Sequence, residues 1–252
     1  MSLSSIQALH DLAETSLASY VYLDDNNRSQ LEHMLQNKGL YGEFTPDQAK
    51  LFAEKYALLS AQPNVDLSGF SATLFQDKQG LKVFAIRGTE ANIATQVPAD
   101  LVLADFLGIG TCGYANIQGI EMCRYWKRLM TPGGQVVSYS DDEIRSLYAL
   151  LLGPILGNDL LKLPAFAILS DGGYQTFAQT LRKDLGIESG TPGKSIVAPG
   201  EQVNVTGHSL GGHLAMLFSR IFPNNVNEVV TLNAPTFYSH GDAFLNRLGF
   251  TS

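Results

Sequence analysis

The sequence predicts an α/β fold, in which a mostly parallel β-sheet carries helices on its faces. The chain has 252 residues, of which 45% are hydrophobic, enough for one sizeable core. Segments with helical and with strand-like hydrophobic periods alternate along it. Over 202–235, a strand-like run, a glycine-rich turn, a helical run and another strand-like run follow one another, an order typical of parallel strands. We therefore expect a single domain over residues 1–252.

The first 62 residues predict a helical region. One amphipathic helix packed on the domain is indicated by apolar residues at helical spacing: Ile6, Leu9, Ala13, Leu17, Tyr20 and Val21. A second helix begins with Thr45 as N-cap, Pro46 in the first turn and Gln48 closing a capping box. Its predicted apolar face consists of Ala49, Phe52, Tyr56 and Leu59.

Strand and helix signals continue through the middle of the chain. The β-prone runs "FSATLFQ" and "LKVFAIRG", separated by "DKQG", predict a hairpin over 70–87. Ser140 and Glu143 have the spacing of a capping box and predict a helix that stops at Gly153 and Pro154. A further helix ends at Gly186 and carries one apolar stripe: Tyr174, Phe177, Ala178, Leu181 and Leu185.

Residues 128–174 are expected to form an insertion or a lid. The apolar run at 153–170 fits two interpretations equally, a movable lid over an acyl pocket and a buried helical insertion. Asp159, Lys162 and two prolines interrupt the surrounding apolar segment, so that it is a poor bilayer span. No transmembrane segment is expected.

Composition excludes several classes of function. The net charge of -7, with no cluster of lysine or arginine, argues against nucleic acid as a partner. The N-terminus lacks the basic start and unbroken apolar run of a secretory signal, which leaves the location unassigned and secretion by a signal-independent route open. Two cysteines make neither a disulfide framework nor a zinc site, and neither an EF-hand loop nor HExxH occurs. We expect no metal and no cofactor.

The stretch "VTGHSLGGHLA" at 205–215 contains the pattern G-x-S-x-G, with Ser209 at its centre. A strand-like run precedes it and a helical run follows, as a nucleophile elbow requires. Side chains at Gly207 and Gly211 would collide with the neighbouring strand and helix. A phosphate-binding loop would need a lysine after the glycines, and none follows here.

Together with "VFAIRGTE" at 83–90, this motif resembles the lipase class 3 family of α/β-hydrolases, and more loosely the bacterial lipases secreted with calcium-binding repeats. The resemblance covers about residues 65–240. It implies an α/β-hydrolase-like fold, a lipid or ester substrate met at a lipid–water interface, and Ser209 as acyl nucleophile. It also implies that Thr89 and the N–H of Leu210 form an oxyanion hole and that Arg87 braces the loop. The alternative for Arg87 is a surface position at a strand end.

The rest of a catalytic triad is harder to locate. A serine nucleophile needs a histidine base and a carboxylate, which in this fold follow the serine on separate later loops. Only 43 residues follow Ser209. The favoured interpretation is that both partners and further C-terminal strands lie beyond Ser252, and the alternative within these 43 residues is His240 with Asp242. Calcium is expected only if such a missing part carries repeats.

Three functions therefore remain open. The first is a lipase or phospholipase that cleaves carboxyl esters of lipids. The second is an esterase for small soluble esters or polyesters. The third is a catalytically silent hydrolase-like binding module. The residues do not choose the headgroup or the acyl chain length.

Overall fold

The computed structural model describes residues 3–36, 44–63, 65, 68–88, 115–148, 150, 192–237, 243 and 245–246. The chain divides into two compact units, Met1–Ala104 with Gly200–Thr236, and Asp105–Pro199 with Phe237–Ser252. The predicted helix at 174–186 and the segment 153–170 lie outside the described residues. The predicted single domain stays a prediction.

The first unit is built on a five-stranded open sheet in the order β1-β2-β3-β4-β5. Its strands are Tyr56–Gln62, Ala72–Asp77, Lys82–Ile86, Val203–His208 and Val226–Leu232. Pairing is antiparallel between β1 and β2 and between β2 and β3, and parallel between β3 and β4 and between β4 and β5. The α/β class is confirmed. The sheet is mixed, and its parallel half contains the strand that leads into the glycine-rich motif.

Five helices are described in full: α1 (Leu3–Ala18), α2 (Leu31–Gln36), α3 (Pro46–Lys55), α4 (Asn116–Met130) and α5 (Leu210–Ile221). Short 3-10 turns occupy Asp25–Gln30 and Pro223–Asn225. Helices α1 and α5 both pack on β3, β4 and β5. Along β4, Thr206 hydrogen-bonds to α1 while the next residue, Gly207, meets α5. Because successive residues of a strand face opposite sides, these two helices cover opposite faces of the sheet.

The hairpin predicted over 70–87 is confirmed by β2 and β3. Its turn is closed by the Asp77 carboxylate, which accepts the N–H groups of Gln79 and Leu81 at 2.9 and 2.8 Å. Gly80 adopts a φ of 90° in this turn, a conformation that glycine tolerates and that other residues rarely adopt. The sequence signal and the turn geometry therefore agree.

Helix α3 is shorter than predicted. The capping box of Thr45 and Gln48 is present, but the helix ends at Lys55, and Tyr56 to Leu59 lie in β1. The apolar residues at helical spacing beyond Lys55 are therefore wrongly assigned to the helix. Residues 56–62 instead pair with the open edge of β2, and the Asp25 carboxylate accepts the N–H of Ala61 at 2.5 Å. These tertiary hydrogen bonds outweigh the local helical propensity.

Helix α1 is confirmed, but its packed face is not the predicted one. Ile6, Leu9 and Leu17 are 51%, 41% and 40% exposed, while Tyr20 and Val21 are buried as expected. The residues of α1 that are buried are others: Leu12, Thr15, Ser16 and Ala18. Small side chains allow a close approach, so that the buried Thr206 hydroxyl of β4 donates to the Leu12 carbonyl at 3.1 Å. The buried face of α1 is therefore the one whose backbone contacts the sheet at Leu12, and it is not the face with the most apolar side chains.

In the second unit, α4 buries Met122, Trp126 and Leu129 completely. Residues 192–197 run along its C-terminal end, where the N–H of Ile196 donates to the Leu129 carbonyl at 2.9 Å. Residues 141–148 are helical, and the predicted capping box of Ser140 and Glu143 closes the start of this helix. Lys127 forms an ion pair with Glu143 and so joins α4 to that helix. Among the described residues, every helix is too short or too polar to cross a bilayer.

Candidate functional site

The candidate site is the turn between β4 and α5. The strand ends at His208, the helix begins at Leu210, and Ser209 alone makes the turn with φ 55° and ψ −127°. Residues other than glycine adopt this backbone region only at a cost of about 1–3 kcal/mol. Hydrogen bonds hold Ser209 in it from both sides: its N–H donates to the Leu232 carbonyl at 2.9 Å, and its carbonyl accepts the N–H of Gly212 at 3.0 Å.

Two glycines make this turn sterically possible. A Cβ added to Gly207 would overlap the backbone carbonyl of Gly211. A Cβ added to Gly211 would overlap the backbone carbonyl of Ile86, at the end of β3. The N-terminus of α5 therefore lies directly against the backbone of β3 and β4, and it has no room for a side chain at either position. This is the collision that the sequence motif predicts.

The turn leaves Ser209 accessible. The residue is half-buried, and its side chain does not cap α5. Leu210 is the first residue of α5, and within the described ranges its backbone N–H makes no hydrogen bond. The N-terminus of a helix carries partial positive charge from its unpaired N–H groups. A hydroxyl and a free N–H are thus neighbours in the chain, at the carboxyl end of a parallel strand, which is where open α/β sheets bind ligands.

The loop that leads to Thr89 begins beside this turn. Arg87 and Gly88 follow β3, and a Cβ added to Gly88 would overlap the His208 carbonyl. The residue before Thr89 therefore lies next to the residue before Ser209. Thr89 itself lies outside the described residues, so that its predicted part in an oxyanion hole stays a prediction.

Arg87 is not a surface residue. It is 5% exposed, and its backbone N–H donates to the Ser71 carbonyl at 3.0 Å. The alternative of a surface arginine at a strand end is therefore wrong. The predicted bracing role of Arg87 stays a prediction.

The two histidines closest to Ser209 in sequence have other partners. His208 is exposed, and its Nδ1 lies 3.1 Å from the Tyr20 hydroxyl. His213 is buried in α5, where its Nδ1–H donates to the Pro235 carbonyl at 2.9 Å. Burial lowers the pKa of His213 to about 4, although the hydrogen bond to Pro235 acts in the opposite direction, so that the ring is neutral at pH 7.

His10 and His33 lie on α1 and α2, in the N-terminal helical region. In the described part of the chain, no histidine hydrogen-bonds to the Ser209 hydroxyl. His240 and Asp242 lie outside that part, and their pairing stays a prediction.

Tyr20 is the residue of this site that sequence reasoning missed. Its hydroxyl accepts the N–H of Gly88 at 3.2 Å and lies 3.1 and 3.4 Å from Nδ1 and the carbonyl oxygen of His208. The sequence identifies Tyr20 only as an apolar position of α1. A buried tyrosine does require a partner for its hydroxyl, but partners 68 and 188 residues away leave no local signal.

The described residues hold one group of side chains that could approach a metal together. Ligand atoms of His10, Asp11 and Glu14 on α1 lie within 4.8 Å of one another. The Lys55 ammonium forms an ion pair with the Asp11 carboxylate and therefore already supplies the positive charge. The group lies on the surface of α1 and gives no reason to revise the expectation of no metal.

Comparisons with known proteins add a likeness in structure. No protein-family model matches the chain, and no curated protein matches it. Among solved structures, the chain is similar to the Lip2 lipase of Yarrowia lipolytica, with 16% sequence identity and a TM-score of 0.39. The alignment covers 98% of this chain and 66% of the lipase chain.

Proposed function

We propose that the chain is a serine hydrolase that cleaves carboxyl esters of lipids, of the triacylglycerol lipase or phospholipase type, with Ser209 as nucleophile. The observation that carries the proposal is the strained turn at Ser209, with φ 55°, between β4 and α5. Backbone strain of this kind persists only where the surroundings enforce it, and it is concentrated at functional sites. Here it lies at a half-buried serine that directly precedes the N-terminus of a helix.

In the proposed reaction, the Ser209 hydroxyl oxygen attacks the ester carbonyl carbon, and the hydroxyl proton passes to a general base. The carbonyl oxygen becomes an oxyanion, which the N–H of Leu210 and a donor from Thr89 stabilise. Each such donor contributes about 3–4 kcal/mol to the stability of the transition state. The alcohol leaves with the proton, and water then hydrolyses the acyl-enzyme by the same steps.

The proposal requires a histidine base with a carboxylate partner. Within this chain the pair is His240 with Asp242, in the segment that follows β5. The alternative is a histidine in a continuation of the protein beyond Ser252. Replacing His240 by alanine separates the two: hydrolysis falls by about three orders of magnitude or more if His240 is the base, and is unchanged if it is not.

The test of the nucleophile is hydrolysis of nitrophenyl esters by the purified chain and by its Ser209→Ala variant. We expect hydrolysis by the parent chain and none above background by the variant. The free energies of unfolding of the two proteins should agree within about 1 kcal/mol. Equal rates for both proteins would contradict the proposal. A folded parent chain without activity on any ester would favour the silent binding module.

Acyl chain length separates a lipase from an esterase for small esters. A lipid-cleaving enzyme is expected to prefer long-chain nitrophenyl esters and to gain activity when the substrate forms an interface. An esterase for soluble substrates would prefer acetate or butyrate and would show no such gain. Measuring kcat/KM from two to sixteen acyl carbons, below and above the solubility limit, decides between them.

A further inference from the structure

We propose that Tyr20 is a positioning residue, whose hydroxyl fixes the start of the predicted oxyanion loop against the Ser209 turn. The proposal rests on the proposed function, because it assigns Tyr20 to the same site. It concerns three segments that are far apart in sequence: the end of α1, the end of β3 and the end of β4.

The Tyr20 hydroxyl lies where the pairing of β3 and β4 stops. The parallel ladder between these strands ends at Ile86 and Gly207. Beyond it, the Tyr20 hydroxyl accepts the N–H of Gly88 at 3.2 Å. The same hydroxyl donates to the carbonyl oxygen of His208 at 3.4 Å and lies 3.1 Å from Nδ1 of that residue. A side chain from the turn that follows α1 thus connects the two strands just beyond the end of their ladder.

Tyr20 is held in place independently of the loop. The residue is 8% exposed, and its ring makes an edge contact with the His208 ring, at 6.1 Å between centroids. Its own N–H donates to the Leu17 carbonyl at 3.1 Å, which extends α1 by one turn. Helix α1 is in turn fixed to β4 by the hydrogen bond from Thr206 to Leu12. The position of the hydroxyl is therefore set by the docking of α1 on the sheet.

Gly88 packs tightly against the Tyr20 hydroxyl. A Cβ at Gly88 would come within 2.7 Å of the Tyr20 hydroxyl and would also overlap the His208 carbonyl. The Gly88 N–H is buried, and a buried N–H without an acceptor costs about 1–3 kcal/mol. Removing the tyrosine hydroxyl would therefore favour rearrangement of the chain at Gly88, one residue before Thr89.

Such a rearrangement would weaken the stabilisation of the transition state. An oxyanion donor contributes only when it is already aimed at the position where the charge develops. The two predicted donors come from different segments, Thr89 after β3 and Leu210 after β4, and Tyr20 connects the residues that precede these segments. Because the oxyanion is absent from the bound substrate, misplacing a donor lowers kcat and leaves KM almost unchanged.

The test compares Tyr20→Phe with Tyr22→Phe in the full chain. Each substitution removes one phenolic hydroxyl, but Tyr22 is 66% exposed and serves as the matched control. For a nitrophenyl ester we expect Tyr20→Phe to lower kcat by about tenfold with KM changed less than about twofold, and Tyr22→Phe to change neither. An unchanged kcat in Tyr20→Phe, or a rise in KM alone, would overturn the proposal.

Hydrogen exchange of the Gly88 amide provides a readout that does not depend on activity. Tyr20→Phe removes the acceptor of this N–H, so that its exchange should accelerate by about tenfold or more, while the Phe84 amide inside the ladder keeps its protection. Acceleration at both amides would indicate general destabilisation, and no acceleration at Gly88 would indicate that the hydroxyl holds nothing in place. Either result overturns the proposal. If the parent chain hydrolyses no ester, the proposed function fails, and the exchange data still decide whether Tyr20 holds Gly88.

Discussion

The buried His213 predicts a specific dependence of stability on pH. Its side chain is fully buried in α5, its Nδ1–H donates to the Pro235 carbonyl, and burial lowers its pKa to about 4. In the unfolded chain the ring has its ordinary pKa of about 6.5. Between these two values the unfolded chain binds a proton that the folded chain does not bind, so that the free energy of unfolding falls as the pH falls.

The size of the effect follows from the two pKa values. Each unit of difference corresponds to 1.36 kcal/mol, so that full protonation of the unfolded state would cost about 3 kcal/mol, of which about 2 kcal/mol is lost by about pH 5. The contribution of His213 is complete above the unfolded pKa and is lost as the pH falls through about 6.5 toward about 4. A typical domain has only about 5–15 kcal/mol of stability, so that the loss is measurable.

Urea unfolding of the parent chain and of His213→Gln, at about pH 7.5, 6 and 5, measures this term. Glutamine keeps a donor for the Pro235 carbonyl but does not titrate. Burial raises the pKa of the Asp11 and Glu143 carboxyls, but their hydrogen bonds and nearby charges, among them those of Lys55 and Lys127, together lower it, and this contribution is common to both proteins. We expect the stability of the parent chain to fall by about 2 kcal/mol more than that of the variant between about pH 7.5 and 5. Parallel curves would refute the reasoning.

Three further predictions concern the elements around the turn. The free energy of unfolding should be about 1 kcal/mol higher for Ser209→Gly than for Ser209→Ala in urea, because only glycine adopts the observed φ without strain; equal values would mean that the turn is relaxed. Gly211→Ala should cost more than about 2 kcal/mol, since its Cβ meets the backbone of β3, whereas Gly80→Ala, strained only in φ, should cost about 1 kcal/mol in the same urea experiment. Thr206→Val should lower the free energy of unfolding by about 1 kcal/mol through the lost hydrogen bond to Leu12, and an unchanged value would show that this bond does not hold α1 on the sheet.

The elements that sequence predicted well are those with local signals. The hairpin follows from two β-prone runs around a turn whose Asp77 accepts two backbone N–H groups. The capping boxes at Thr45 and Ser140 follow from residues three positions apart. The turn at Ser209 follows from glycines at fixed offsets, because the need for them arises within a few residues of the serine. In each case the physical cause is contained in a short stretch of chain.

The errors arise where the structure of a segment depends on contacts with other segments of the chain. Residues 56–62 have the apolar spacing of a helix, yet the open edge of β2 makes them a strand, and β2 begins ten residues after β1 ends. Helix α1 has an apolar stripe, yet it packs through small residues because the sheet approaches its backbone at Leu12. Tyr20 acquires its partners only when α1, β3 and β4 come together. Hydrophobic periodicity predicts that such segments are ordered but not which neighbours they meet.

The central claim is that the hydroxyl of Ser209 is a nucleophile toward acyl-type electrophiles. The most direct measurement is reaction of the folded chain with a fluorophosphonate, followed by mass spectrometric mapping of the modified residue. The account predicts one adduct per chain, on Ser209 in the peptide that joins β4 to α5, and no adduct after denaturation or in Ser209→Ala. A folded chain that remains unmodified, or that carries the adduct on a different residue, would contradict it.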